Sequence, residues 1–87
     1  MQDNKAQLKI AVEAALAGDW HKSHDIAQDY SDPIANWIHA VLHKIEGDVG
    51  NSNYWYARTI GANSMAKTYQ DYANVEDELR AISNALA

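Results

Sequence analysis

All four histidines of the 87-residue chain fall between His21 and His43. On a helix, His39, His43 and Glu46 stand at i, i+4 and i+7 and share one side. Two imidazoles one turn apart can chelate a divalent ion, with Glu46 or His24 completing the set. Neutral imidazoles can also exchange protons with a substrate. The metalloprotease order His-Glu-x-x-His is absent, and the Glu-x-x-His of di-iron bundles occurs only in reverse, as His43-x-x-Glu46. There is no Gly-rich phosphate loop and no Gly-x-Ser-x-Gly elbow. A phosphotransfer histidine is followed by basic and small residues, whereas Ala-Val-Leu follows His39.

Three readings of these residues stay open. In the first, His39, His43, Lys44 and Glu46 form the solvated side of an amphipathic helix, with His24 hydrogen-bonded at the core edge. In the second, a polar groove holds a peptide or small molecule. Its walls are His24, Asp25, His39, His43, Glu46 and Asn51, with the ring edges of Tyr54, Trp55 and Tyr56. In the third, His39, His43 and Glu46, or His24, make a metal or acid–base site.

Composition narrows the classes around these readings. The chain is long enough for one core, so a single domain over residues 1–87 is expected. It is 47% hydrophobic and 22% charged, which suits a folded helical chain. Without phenylalanine, aromatic bulk must come from Trp20, Trp37, Trp55 and the tyrosines, whose polar atoms seek partners when buried. Without cysteine there are no disulfides or thiolate sites, in keeping with a cytoplasmic protein. Lys9 and Glu13 interrupt the N-terminal apolar residues, so neither a secretory signal nor a membrane span is expected. A net charge of −5 with scattered basic residues argues against nucleic-acid binding. No cofactor is expected.

The elements that must position the histidines follow from apolar spacing and punctuation. Leu8, Ala11, Val12, Ala15 and Leu16 predict a helix over residues 4–17, ended by Gly18 and leaving Ile10 off the stripe. Asp19 caps a second helix beginning at Trp20, with Ser23, Ala27 and Tyr30 on its packed face. Asp32-Pro33 opens a third, most buried helix, with Ile34, Trp37, Ile38, Val41, Leu42 and Ile45 on one stripe. Gly47 stops it, and Asp48 caps a fourth helix carrying Tyr54, Trp55, Tyr56 and Ile60. Of the three adjacent aromatics, Trp55 is expected to face inward. Residues 62–73, with Met65, Tyr69 and Tyr72, read as a helix or an irregular cover. Asn74 caps a last helix striped by Val75, Leu79, Ile82 and Leu86, with Glu76, Asp77 and Glu78 at the positive end of its dipole. No stretch alternates with period two, so no strand is expected.

The Gly-Asp turn occurs twice, at Gly18-Asp19 and Gly47-Asp48, each followed at the same offset by a serine, Ser23 and Ser52. On these residues, over 4–61, the chain resembles the tetratricopeptide-like superfamily, although the full Trp-Leu-Gly-Tyr pattern is missing. That resemblance implies two stacked helix-turn-helix hairpins, here closed by a C-terminal helix, in an all-α fold of about five helices.

The strings HDIAQD and WIHAVLHKIEGDVGNSNYWYAR also resemble a family of small uncharacterised bacterial helical proteins. The matching positions are His24, Asp25, Gln28, Trp37, His39, His43, Glu46, Gly47, Asp48, Asn51, Tyr54, Trp55 and Tyr56. This second resemblance implies no mechanism. The combined expectation is a non-enzymatic helical module that binds a protein or small-molecule partner at the histidine groove. Homodimerisation through Ile10 or the tyrosine-rich fourth helix and following segment goes with it. The competing expectation is a metal-dependent or acid–base enzyme using His24, His39, His43 and Glu46.

Overall fold

A computed structural model describes residues 4–60 and 66–87. Five helices follow in order: α1 (Lys5–Leu16), α2 (Trp20–Ala27), α3 (Pro33–Ile45), α4 (Val49–Tyr56) and α5 (Val75–Leu86). There is no strand among the described residues. The α1–α2 and α3–α4 pairs are helix-turn-helix hairpins, α2 also meets α3, and α5 closes the bundle against α1 and α3. Met65 and Gly61 lie outside the described residues.

The turn chemistry explains why the two hairpins match. Gly18 and Gly47 take φ of 86° and 78°, a left-handed conformation in which a side chain would be strained. The following amides close both turns alike: Asp19 N–H donates to the Ala14 carbonyl at 2.8 Å, and Asp48 N–H to His43 at 2.9 Å. The aspartate side chains then accept from Lys22 N–H and Asn51 N–H, capping α2 and α4. Ser23 and Ser52, each on the second turn of its helix, are both fully buried. The small serine side chain lets the paired helices approach closely. Asp32 precedes Pro33 as expected, but its carboxylate accepts from Asn4 Nδ2 and so ties the starts of α1 and α3 together.

The core is drawn from Leu8, Ala11 and Val12 of α1, Trp37, Ile38, Val41 and Leu42 of α3, and Leu79, Ile82 and Leu86 of α5. Four sequence expectations need correction. Leu16, the last residue of the α1 stripe, is 38% exposed. Ile45 is 45% exposed, because the α3 stripe turns out of the bundle in its last turn. Tyr56, not Trp55, is the inward ring of α4, and Trp55 is half-buried. Ile60 is 87% exposed and lies beyond α4, which ends at Tyr56, whose carbonyl accepts from Thr59 Oγ1 at 2.7 Å.

The largest departure concerns Lys44, which one reading set on the solvated side of α3, and Glu78, read as a residue at the positive end of the last helix's dipole. Glu78 is completely buried. Its Oε2 accepts from Trp37 Nε1 at 2.8 Å and Tyr56 OH at 2.7 Å, and its Oε1 from Lys44 Nζ at 3.1 Å. Lys44 Nζ also donates to the carbonyls of Tyr69 (2.8 Å) and Tyr72 (2.7 Å). A network with every polar group partnered is the condition under which a buried charge is tolerated. It fastens the irregular cover over residues 66–74 to α3 and α5. Burial and the Glu78 carboxylate raise the Tyr56 phenol far above its usual range, keeping it a donor.

Candidate imidazole–aromatic site

The histidine side of α3 meets α2 and α4. His39 and His43 lie one turn apart with nearly parallel rings, centroids 5.0 Å apart. From α2, His24 places its ring perpendicular to that of His39 at 4.6 Å and 5.7 Å from that of His43. Two tryptophans bracket the group: Trp20 stacks on His24 at 4.7 Å, and Trp55 of α4 stacks on His39 at 3.9 Å. The indole of Trp20 is itself anchored, its Nε1 donating to the Leu42 carbonyl at 2.7 Å. His24 follows Trp20 by one helical turn, the spacing that lets the two rings stack.

Electrostatics separate the imidazoles. His39 is only 6% exposed, and burial first, then His24 and His43, lower its pKa to about 4. It is therefore neutral at physiological pH. His24 is lowered too, by burial and then by His43, while Asp25 and Glu46 pull the other way. His43 Nδ1 lies 2.9 Å from Glu46 Oε1, so the carboxylate orients that ring with Nδ1 as donor. Among the described residues, His24 and His39 make no protein hydrogen bond through their ring nitrogens, although ring contacts hold both. His24 is thus held by stacking, not by the hydrogen bond expected at the core edge.

The other expected site residues stand round this group. Asn51 donates its side-chain amide to Asp48 Oδ2 at 2.7 Å, which with its backbone N–H holds the Asp48 carboxyl below the usual range. Tyr54 is 48% exposed and lies under the Arg58 guanidinium at 3.6 Å, with its edge toward Trp55. Asp25 is exposed and reaches the cluster only through its charge. Trp55 also lines an open recess of about 540 Å³ with Gln28, Asp29, Tyr30, Ser31, Asn36 and Arg58. Sequence spacing had missed the part of Trp20 and this recess, which forms between the α2–α3 connection, Asn36 of α3, and Trp55 and Arg58 around the end of α4.

Among the described residues, two groups of side chains bring possible metal donors together: His24, His39 and His43, and His43, Glu46 and Asp48. In each, one donor atom per residue lies within 4.8 Å of the others. The second set is mostly exposed, and its Asp48 already caps α4. No protein-family model, curated protein or solved structure matches this chain.

Proposed function

We infer that this chain is a small helical binding module whose ligand site is the imidazole–aromatic cluster of α2, α3 and α4. The observation carrying this reading is the convergence of His24, His39 and His43 between two stacked tryptophans. Convergent polar groups in an apolar frame, beside a concave surface, are what ligand recognition requires. The recess at Trp55 offers that surface to a protein segment or small molecule.

The scaffold reading that goes with it is tetratricopeptide-like, supported by two hairpins with matching Gly-Asp turns. Membership of the small bacterial helical family rests on the sequence strings alone, and a cytoplasmic location on the cysteine-free composition. No helix among the described residues is long and apolar enough to cross a membrane. A homodimer seam would use Ile10 or Tyr54, both exposed.

The enzyme reading draws on one specific feature. His24 reaches His39, and His39 is held neutral in a half-enclosed setting where a base would be useful. Tryptophan fluorescence and imidazole NMR resonances, recorded against a peptide and small-molecule library in chelator-treated buffer, test the module. Ligands are expected to perturb Trp55 and His39 together. A library that moves neither sinks this reading, and turnover abolished by His39→Leu would favour the enzyme.

A further inference from the structure

We propose that His24, His39 and His43 form a three-imidazole site for a divalent transition-metal ion of the zinc class. The inference rests on the cluster being the module's ligand site, and it names what binds there. Three donor nitrogens lie within 4.8 Å of one another. In tetrahedral zinc sites, Zn–N bonds of about 2.0–2.1 Å put the nitrogens roughly 3.4 Å apart. Closing to that distance takes ring shifts on the order of 1 Å, which small side-chain rotations can supply, the partly exposed His24 sliding against Trp20.

Three further observations favour a metal over simple packing. Glu46 holds Nδ1 of His43 at 2.9 Å, which leaves Nε2 with its lone pair, the carboxylate–imidazole arrangement that orients metal-binding histidines. His24 and His39 make no hydrogen bond to protein among the described residues, so no protein group competes with a metal for their ring nitrogens. The hairpin repeat supplies the third. At the 29-residue offset that superposes Gly18 on Gly47, His39 and His43 correspond to Ile10 and Ala14. The first hairpin closes with the same Gly-Asp turn and no imidazole at either position, although Ile10 is 37% exposed where His39 is buried. An all-nitrogen donor set selects zinc, copper, nickel or iron over magnesium and calcium. Three protein ligands leave a fourth position for water or a ligand group.

The test is addition of Zn²⁺ to the chelator-treated full chain, followed by calorimetry and by imidazole NMR. One equivalent is expected to bind, shifting His24, His39 and His43 together while exposed His21 stays in place. Ca²⁺ and Mg²⁺ are expected to leave the spectrum unchanged. His24→Ala and His39→Leu should each weaken binding by about 100-fold or more, and Glu46→Gln by roughly 10–100-fold. Far-UV circular dichroism accompanies each variant. If His39→Leu does not fold, His24→Ala decides, since its ring sits at the edge of the bundle. Absence of saturable one-equivalent binding, or an affinity unchanged in His24→Ala, overturns the metal site. Library ligands that shift Trp55 and His39 in chelator, with no zinc effect, would overturn it while leaving the module reading standing.

Discussion

Replacing Lys44 by Met tests whether the buried network holds the fold together. The substitution keeps the aliphatic stem and removes an ammonium that donates to Glu78, Tyr69 and Tyr72 at 3.1, 2.8 and 2.7 Å. Glu78, with no solvent exposure, is left with two donors and no counter-charge. Breaking a buried pair from one side costs about 3–5 kcal/mol. A domain of this length has a total stability of roughly 4–13 kcal/mol, so the variant sits close to unfolding. At about 4–8 °C per kcal/mol for this size class, the midpoint should fall by ~12–40 °C.

Urea unfolding at pH 7, followed by circular dichroism, measures the loss. Lys44→Met/Glu78→Met removes both charges and should recover a good part of it, giving a coupling energy of about 0.5–3 kcal/mol. The exposed Arg80–Glu76 pair is the control: with both side chains 64% exposed, Arg80→Ala should leave the midpoint within error. A Lys44→Met loss below about 1 kcal/mol, or strictly additive losses in the double variant, would refute the argument.

Further expectations rest on single groups. Ser52 Oγ donates to the Ala40 carbonyl at 2.8 Å whereas buried Ser23 Oγ has no partner among the described residues, so Ser52→Ala should cost about 1 kcal/mol and Ser23→Ala nothing or less; equal losses in urea melts would contradict this. Trp37→Ala, which also strips a donor from Glu78, should cost at least ~3–5 kcal/mol by the same assay. In metal-free buffer, acid should weaken the fold through His39, which faces His24 and His43. His39 stays neutral in the native state down to about pH 4, while the unfolded chain gains its proton near ~6.5. Over that window the unfolded state holds more protons, so stability is complete above about pH 6.5 and falls as pH drops toward 4. Allowing for solvent screening, the loss is on the order of 1–2 kcal/mol. The same loss in His39→Leu would assign it to other groups.

Local signals were legible where one or two residues dictate backbone geometry. Gly18, Gly47, Asp19, Asp48, Pro33 and Asn74 each act within a turn of their own position, and all the helix starts they predict are present. The shared side of His39 and His43 was legible for the same reason, since helical periodicity alone sets it. Local pattern failed where the partner is distant in the chain. Glu78 read as a dipole residue because its neighbours Glu76 and Asp77 are, yet its side chain points to Trp37, forty-one positions away. Lys44 read with His39, His43 and Glu46 as the solvated side of α3, and the acceptors that bury it come from residues 69, 72 and 78.

Spacing pointed to Trp55 as the inward ring of α4, but either rotation of that helix buries one aromatic. The hydrogen bond from the Tyr56 hydroxyl to Glu78 settles it, and Trp55 is left to stack on His39. The sequence alone thus determined the five helices, the Asp19, Asp48 and Asn74 caps and the imidazole face of α3, because these follow from interactions within a few residues. The tertiary structure decided that His24 joins His39 and His43, that tryptophans bracket them, and that a lysine and a glutamate pair inside the core. Those arrangements depend on the rotation and approach of separate helices, which only side-chain packing and the need to partner buried polar atoms can set.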